Sequence, residues 1–372
     1  MSNMIQNQYM PEYVSPPGET LLETMEALGM SQAELAERTG RPKKTINEII
    51  NGKAAITPET ALQFERVLGV PAAFWNNRES NYREALARHN QREQLGNFVG
   101  WLNDLPISDM VNFGWIKRFR DPIQQIEEVL HFFGIASPEQ WKNLAKKYSQ
   151  EGLALRTSPA FKSDPLAVVA WLRKGELEAH NIDCASYNIS KFRGNLTIIR
   201  GLTTRPPEVY LRKLVELCAE AGVAVAFVPE LPRRTRTSGA TLWLTPKKAL
   251  MQFSFRYQTD DQFWFTFFHE SAHILSGRRK IFLEDEYTNY SQVEEQKANR
   301  FAEKSLIPEG KIKKFMALRP RSKSVIKTFA NNIGIAPGIV VGRLQREGVL
   351  PYTHLNGLKI RLDWETWKSG QK

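Results

Sequence analysis

The chain has 372 residues and a formal net charge of +11 at pH 7. At roughly 100 to 200 residues per domain, this length predicts two or three domains and excludes a peptide hormone or mini-scaffold. With 42% hydrophobic and 24% charged residues the chain can bury a sizeable core, which excludes wholesale disorder. The excess of basic over acidic residues favours a polyanionic partner. Net charge alone does not identify that partner, so the positions of the basic residues in the sequence are considered next.

Two features of the sequence concern its cellular location. No stretch approaches the roughly 20 apolar residues of a membrane span, and the N-terminus lacks a basic segment followed by an apolar run. Cys184 and Cys218 are the only cysteines, and they lie far apart and outside any metal-ligand spacing. This usage argues against a disulfide framework and against a cysteine-based zinc site. We therefore expect a cytoplasmic protein that does not interact with a membrane.

The first 85 residues have the pattern of short helices separated by tight turns. Ser31 stands three residues before Glu34, which is a capping-box arrangement, and Gly40 suits the turn that ends the same helix. Pro42 suits the first position of the next helix. Apolar spacing and these boundaries predict a bundle of five helices: Pro17 to Leu28, Gln32 to Thr39, Pro42 to Gly52, Pro58 to Leu68, and one from Pro71 onward.

The second and third of these helices surround a glycine turn, which predicts a helix-turn-helix. In such a motif the second helix of the pair enters the major groove, where amides and lysines read base edges and other cations neutralise phosphates. The alternative interpretation is a helical hairpin with a solvated basic face. The side chains that face outward on the third helix are Lys43, Lys44, Thr45 and Asn47.

The run from Pro16 to Trp75, which begins PPGETLLETMEALGMSQAELAERTGRPKKTINEIING, resembles the XRE-type helix-turn-helix of HigA-like antitoxins and phage-repressor-like regulators. This resemblance implies that the helix near Pro42 is the recognition helix and that the protein binds a double-stranded DNA operator, usually as a homodimer. It also implies base or phosphate contacts for four residues of that helix and a phosphate contact for a fifth residue: Lys43, Lys44, Thr45, Asn47 and Gln32.

The middle of the chain is helical in pattern and carries no recognisable chemistry. We interpret residues 86–200 as a helical connector. Its tryptophans are expected to pack in a core or interface rather than to form ligand cages: Trp101, Trp115, Trp141 and Trp171.

Short β-branched and aromatic runs between Gly222 and Phe268 predict a small sheet, followed by a helix that begins around Asp261 or Phe263. This helix carries the sequence His-Glu-Ser-Ala-His from His269 to His273. Histidines at i and i+4 lie one turn apart on one helix face, so both imidazoles can reach one Zn²⁺. The glutamate between them, Glu270, can take a proton from water, which is the H-E-x-x-H arrangement of zinc peptidases. A chance match in a buried helix is the alternative.

A catalytic zinc site needs a third protein ligand and an open fourth position. The helix predicted from Val293 to Pro308 offers Glu295 as that ligand, with Asn299 one turn later to support a ligand histidine. Glu294 is the second candidate ligand. The alternative for both glutamates is a solvated acidic face.

The segments FRYQTDDQFWFTFFHESAHIL and EEQKANRFAEKSLIP resemble the ImmA/IrrE family of metallopeptidases over roughly Ala221 to Pro308. The resemblance implies Zn²⁺ bound by His269, His273 and Glu295, with Glu270 as general base. It further implies a regulatory peptidase that cleaves a repressor. A second donor to the oxyanion is usual in such enzymes. Arg256 and Tyr257 lie on the predicted strand that leads into the helix, but sheet packing and surface charge are the favoured interpretation for them.

The segment from Ser324 to Leu350 also has a helix-turn-helix pattern around Gly334, for which packing is favoured over a second DNA-binding element. Together the patterns predict a multidomain α+β protein: a helix-turn-helix domain (1–85), the connector (86–200), a zincin-like peptidase domain (201–310) and a helical extension (311–372). The first hypothesis is a DNA-binding transcriptional regulator whose zinc endopeptidase cleaves a repressor or antitoxin-type protein. The alternative is an antitoxin or repressor whose metal-binding domain senses a ligand or partner without proteolysis.

Overall fold

The computed structural model describes residues 15–141, 143–144, 164–232, 234–235, 237–277, 282–283, 292–318 and 322–369. The contacts between residues divide the chain between Val99 and Gly100 into two compact units, which are described separately. Helices dominate both units and a small sheet lies in the second, so the expected multidomain α+β class is confirmed. The domain limits at residues 85, 200 and 310 stay predictions.

In the described part of the N-terminal unit, turn chemistry delimits five helices. The Ser31 hydroxyl accepts a hydrogen bond from the Glu34 backbone N–H at 3.2 Å, and Gly40 ends the same helix with φ 68°. Pro42 is the N-cap rather than the first helical residue, because its backbone is extended and its carbonyl accepts the first intrahelical bond from Thr45 N. The helices are α1 (Pro17–Ala27), α2 (Gln32–Thr39), α3 (Lys43–Ile50), α4 (Pro58–Leu68) and α5 (Ala72–Gly96).

One apolar core fixes α3 against its neighbours. Ile46 on α3 has no exposed surface, and Ile49 is 2% exposed. A side chain at Gly18 on α1 would clash with backbone atoms of Ile49 and Ile50, so the close approach of α1 to α3 requires glycine there. The other fully buried side chains of this core include Leu21, Leu35, Phe64 and Trp75.

The second unit combines helices with a four-stranded sheet of order β1-β3-β2-β4. Strand β3 pairs in parallel with β1 and antiparallel with β2, which also pairs with the short β4. Its elements up to β3 are α6 (Ile107–Asn112), α7 (Pro122–Phe133), α8 (Pro165–His180), α9 (Ile189–Leu202), α10 (Pro207–Ala219), β1 (Val223–Phe227), β2 (Gly239–Thr245) and β3 (Lys248–Phe253). The later elements are α11 (Asp260–Leu275), β4 (Phe282–Leu283), α12 (Gln292–Leu306), α13 (Glu309–Ala317), α14 (Lys323–Ile333), α15 (Pro337–Arg346) and α16 (Trp364–Ser369). Short 3-10 helices cover Val99–Asp104, Pro138–Gln140 and Asn356–Leu358.

Both faces of the sheet are buried, which explains why β1 reads as a continuous apolar run. One face packs in a core with α11, and the opposite face packs in a second core with α8. Trp171 of α8 has no exposed surface and donates a hydrogen bond from Nε1 to the Val228 carbonyl at 3.0 Å. Trp141 is buried in the same core and Trp101 and Trp115 pack against it, as expected for packing residues. Helix α8, which the sequence analysis places in the connector, therefore shares a core with the sheet.

The helix pair around Gly334 packs into the core of the second unit. Ile339, Val340, Val341 and Leu344 bury the inner face of α15 against that core, as the packing interpretation expects. No single helix in the described ranges is both long and apolar enough to cross a membrane. Helices α14 and α15 meet that criterion only as a pair, with a bend of 112° between them.

Candidate metal centre and nucleic-acid interface

Helix α11 is held in the core by aromatic residues on several of its faces. It begins at Asp260, one residue before the first of the two predicted starts, and places two carboxylates in its first turn, where the helix dipole favours negative charge. Phe263, Trp264, Phe267 and Phe268 are at most 6% exposed. The helix therefore carries the H-E-x-x-H residues on a rigid, desolvated element.

Three ligand-type side chains converge beside α11, which supplies two of them while α12 supplies the third. His269 Nε2 lies 3.2 Å from Glu295 Oε2, and His273 Nε2 lies 3.4 Å from Glu295 Oε1. The Nε2 atoms of the two histidines are 3.1 Å apart. Both imidazoles are buried, and the Glu295 side chain is 25% exposed. Among the described residues, these three form the group of His, Cys, Asp and Glu side chains able to hold a metal ion, and Glu294 is outside it.

The spacing of these donor atoms fits a tetrahedral metal ion. With metal–ligand distances of about 2.0 to 2.1 Å and tetrahedral angles, neighbouring donor atoms of a zinc site lie about 3.3 Å apart. The two Nε2 atoms lie 3.1 Å apart, and each approaches a different oxygen of Glu295, at 3.2 and 3.4 Å, so the nearest contacts of the three residues are close to that value. Two imidazole nitrogens and a carboxylate oxygen are also zinc's ordinary donors. The residues present therefore fit a zinc ion with three protein ligands.

Asn299 fixes the orientation of one candidate ligand. Its Oδ1 lies 3.0 Å from His269 Nδ1, one helical turn beyond Glu295 on α12. Because an amide oxygen only accepts hydrogen bonds, Nδ1 carries the proton and Nε2 keeps its lone pair directed at the other donors. The Asn299 contact therefore favours the tautomer that a metal ligand needs.

The electrostatics favour the unprotonated forms of His273 and Glu295. Burial, and secondarily the neighbouring His269, lower the pKa of His273 to about 4, although Glu295 opposes this shift. Burial alone would raise the pKa of Glu295, but the hydrogen bond and charge of His269, together with His273, hold it below its usual range. Near neutral pH the site thus presents a neutral His273 and an ionised Glu295.

Glu270 lies on the side of α11 that faces the sheet and has no exposed surface. The Thr241 hydroxyl on β2 donates a hydrogen bond to Glu270 Oε2. Gly239 begins the same strand, and a Cβ at that position would lie 3.1 Å from Glu270 Cγ, which leaves room only for glycine or a displaced carboxylate. Sequence patterns did not indicate Thr241 or Gly239, because nothing local to β2 reveals which helix residue it contacts.

The two residues considered as oxyanion donors lie on a loop before α11 and not on the predicted strand, because β3 ends at Phe253. Tyr257 is 48% exposed, and the Arg256 guanidinium lies 5.4 Å from the centre of its ring. Both line a cavity that Thr266 of α11 also lines. They are near the helix, and their assignment as oxyanion donors stays a prediction.

The proposed DNA-reading side chains lie together on the first turns of α3. Lys43, Lys44 and Asn47 are exposed, and Thr45 is half-buried. Gln32, at the start of α2, is also half-buried. Lys44 makes only a loose ion pair, with its Nζ 3.8 Å from Glu48 Oε1. The first turn of α3 contains no acidic residue, so this surface presents cations and amides to a polyanion.

Two family models match the chain, one in each unit. The helix-turn-helix model matches residues 21–75, and the model of the IrrE N-terminal-like domain, from the M78 peptidase family, matches residues 256–345. The first match contains α2 and α3, and the second contains the three candidate metal ligands and Glu270.

Similar proteins share the N-terminal part of the chain. Virulence-associated protein A of Dichelobacter nodosus is 37% identical over 67 residues, which are 18% of this chain and 64% of that protein, so the chain spans less than two thirds of its length. The uncharacterized HTH-type transcriptional regulator YddM of Escherichia coli K12 is 31% identical over 71 residues, 19% of this chain and 76% of that protein. One solved structure is "Pseudomonas aeruginosa antitoxin HigA with higBA promoter", which is 28% identical to the matched part of this chain. The match covers 22% of this chain and 91% of that chain, with a TM-score of 0.22. The chain therefore belongs to the family of helix-turn-helix transcriptional regulators through its N-terminal unit, and it carries an IrrE N-terminal-like domain of the M78 peptidases in its C-terminal half.

Proposed function

We propose that this protein is a DNA-binding transcriptional regulator with a zinc-dependent endopeptidase that cleaves a repressor or an antitoxin-type protein. The observation that carries the peptidase assignment is the convergence of three ligand-type side chains, whose nearest ligand atoms lie 3.1 to 3.4 Å apart, with a buried glutamate on the helix that carries both histidines. Three protein ligands leave a tetrahedral ion one open position, which distinguishes a catalytic zinc site from a structural one.

The chain's own residues divide the chemistry between them. When bound at His269, His273 and Glu295, zinc supplies a Lewis acid that polarises the scissile carbonyl and the attacking water. Glu270 accepts the proton of that water at a carboxylate oxygen and returns it to the leaving amine nitrogen. Thr241 holds the Glu270 carboxylate through its hydroxyl, and Asn299 holds His269 in the required tautomer.

The DNA-binding part of the proposal rests on α3. Its first residues reach base edges and phosphates of a double-stranded operator: Lys43, Lys44, Thr45 and Asn47. Gln32 contacts a phosphate from the start of α2. A homodimer places two such helices on a palindromic operator one helical turn apart. Binding to a chromosomal operator requires a cytoplasmic location.

A co-expression experiment tests the peptidase. The full chain and its Glu270→Gln variant are each expressed with a panel of helix-turn-helix repressors and antitoxins, and fragments are identified by mass spectrometry. Because a positioned general base typically contributes about 10²- to 10⁴-fold, wild type should generate fragments at a rate at least about 100 times that of the variant. Both preparations should contain one zinc per chain.

Two results would count against the proposal. Equal fragment yield from the Glu270→Gln variant would refute the role of Glu270 as base. Stoichiometric zinc and operator binding without cleavage of any partner would instead favour the alternative, a sensor domain without proteolysis.

A further inference from the structure

The two units of the chain carry net charges of opposite sign. Residues 1–99 contain 10 basic and 12 acidic side chains, so the helix-turn-helix unit has a formal net charge of −2. Residues 100–372 contain 41 basic and 28 acidic side chains, which gives the second unit a net charge of +13. The basic excess of the chain therefore lies outside the unit that carries α3. Because the two units differ in sign, copies of this chain can attract one another electrostatically.

The outer face of α12 is basic. Three exposed cations recur on it with the spacing i, i+3 and i+7, which places them on one side of the helix: Lys297, Arg300 and Lys304. Ala302 and Leu306 turn another side of α12 into the core of the second unit. Lys304 Nζ lies 3.4 Å from a carboxylate oxygen of Glu309, but Lys313 shares that carboxylate, at 2.8 Å. The surface around this basic face therefore stays positively charged.

Helix α1 presents a complementary acidic face. It contains no lysine or arginine, and three exposed glutamates recur on it with the spacing i, i+4 and i+7: Glu19, Glu23 and Glu26. Leu21 and Met25 turn the inner side of α1 into the core of the first unit. Leu22 lies beside the acidic face and is 36% exposed. Because α1 is not one of the two helices of the helix-turn-helix, a partner on its acidic face leaves α3 available to DNA.

The acidic and basic faces match in register when the two helices run antiparallel. From its first charge to its last, each face covers about 10.5 Å of helix axis. The intervals are four then three residues on α1 and three then four on α12, so antiparallel alignment sets each glutamate opposite one cation: Glu19 and Lys304, Glu23 and Arg300, Glu26 and Lys297. The same register sets Leu22 opposite the half-buried Phe301. A parallel alignment would instead set Glu23 opposite Phe301, so the spacing favours the antiparallel contact.

We propose that the acidic face of α1 docks on the basic face of α12 of a second copy of this chain. An exposed ion pair contributes little by itself, so three pairs in register and the apolar contact beside them act together. Association of this kind is reversible and weakens as salt rises. The inference rests on the homodimer of the proposed function and assigns an interface to it. It requires neither the metal ion nor the operator.

Cross-linking of isotope-mixed protein tests this contact. Equal amounts of isotope-labelled and unlabelled full chain are mixed, and a carbodiimide joins carboxylates to the lysine amines with which they form ion pairs. Mass spectrometry should identify two linked peptide pairs, Glu19 with Lys304 and Glu26 with Lys297. Because copies pair at random, half of the linked pairs should combine a labelled with an unlabelled peptide. Raising NaCl from about 50 to about 500 mM shortens the Debye length from about 14 to about 4 Å and should lower the yield at least about fivefold.

Charge reversal at the central pair tests whether the two faces recognise each other. Glu23→Lys and Arg300→Glu each set like charges against one another, and each should lower the yield of linked peptides at least about fivefold. A mixture of the two variants should restore the yield, because every contact between unlike copies then joins opposite charges. Both positions are exposed, so the melting temperature should not change. Glu37→Lys on α2 and Arg212→Glu on α10 make the same changes at other exposed positions and should leave the yield unaltered.

Several results would overturn the proposal. Links that never combine the two isotopes would exclude a contact between copies, and links that persist in both variants would exclude recognition between the two faces. An absence of links together with weaker binding of Arg300→Glu to random-sequence DNA would assign the basic face to DNA instead. Sedimentation equilibrium separates failure of the interface from failure of the homodimer. A dimer without these links would reject the interface alone, whereas a monomer would reject both.

Discussion

The helix-turn-helix and the metal centre present their candidate functional side chains in opposite ways. On α3, Lys43, Lys44 and Asn47 are exposed and lie within five consecutive residues, so their arrangement follows from one short helix. At the metal centre, His273 and Glu295 come from two helices and meet in a largely buried pocket. A surface that binds DNA must remain solvated before it meets its partner, whereas a metal site gains from being dry and rigid. DNA binding by α3 can therefore tolerate single substitutions, whereas metal binding depends on every donor residue.

Of the predicted changes, removal of one metal donor should have the largest effect. It should weaken metal binding and leave DNA binding unchanged. We expect Glu295→Ala to lower zinc affinity on the order of 10³-fold, because it removes one of three protein ligands. Inductively coupled plasma mass spectrometry of the purified chain should show near-stoichiometric zinc in wild type and little in the variant. Operator binding should be retained.

Glu294→Ala is the matched control, because it removes the neighbouring carboxylate that lies outside the group of three donors. Its zinc content should equal that of wild type. Loss of zinc from Glu294→Ala and its retention in Glu295→Ala would reverse the assignment of the third ligand.

Removal of the Asn299 side chain should weaken the metal centre without abolishing it. The side-chain oxygen of Asn299 orients His269 through Nδ1, and such supporting hydrogen bonds contribute roughly 10- to 100-fold to metal affinity. Competition with a chelator should show that decrease for Asn299→Ala. Gln296→Ala, at an exposed position of the same helix, should bind zinc as wild type does; an equal loss there would mean that α12 itself had been disturbed.

On the exposed surface, substitution of two lysines should have a graded and salt-dependent effect. The double variant Lys43→Ala and Lys44→Ala should bind an operator on the order of 10-fold more weakly at physiological salt. The slope of log affinity against log salt should become shallower by about 0.9 for each phosphate that the variant no longer neutralises. Fluorescence anisotropy at several salt concentrations measures both quantities.

Lys323 and Lys327 offer the matched control, since both are exposed on α14, within the second helix-turn-helix pattern. Their double substitution by alanine should leave affinity and salt slope unchanged, because the core buries the inner face of α15. A decrease comparable to that of the α3 variant would show that the C-terminal pair also contacts DNA.

A pH-dependent change in stability should be the smallest effect, and it concerns the start of α11. Burial raises the pKa of Asp260 to about 7, although backbone N–H groups oppose the shift. The unfolded carboxyl loses its proton near its ordinary pKa of 3.8, so the folded state becomes less stable as pH rises from that value to about 7. Asp260→Asn should therefore stabilise the chain more at pH 8 than at pH 5, by about 1.4 kcal/mol for each pH unit between 5 and 7.

Denaturant unfolding at the two pH values measures this difference. Asp183→Asn, at an exposed position, should show no such pH-dependent gain. If Asp260→Asn gave the same gain at pH 5 and pH 8, ionisation of Asp260 would not be the cause.

The sequence predicted the local elements well where each residue acts through its neighbours along the chain. The Ser31 cap, the turn at Gly40 and the apolar face of α3 all follow from spacing within one or two helical turns. Pro42 was placed one position too far into its helix, because the same fixed φ suits both the N-cap and the first helical residue. The sequence likewise predicted that His269 and His273 lie side by side, since positions i and i+4 share a helix face.

The sequence did not predict contacts between segments that are distant along the chain. Thr241 and Glu270 are 29 residues apart and meet because β2 packs against α11. Ile360 and Asp260 are 100 residues apart, and no periodicity links a C-terminal segment to the start of a buried helix. The sequence also did not predict that α8 covers the sheet, because an apolar helix face does not reveal which surface packs against it.

The sequence by itself therefore determined which residues are the candidates for chemistry: the basic and amide side chains of α3, the two histidines and the glutamate between them, and a following helix with a carboxylate one turn before an amide. Those features depend on the helical repeat and on side-chain type, which are properties of the chain. Only the tertiary structure selected Glu295 over Glu294, directed Thr241 at Glu270 and brought Ile360 to Asp260. Each of these depends on how packed helices and strands are rotated and spaced, which the whole core decides.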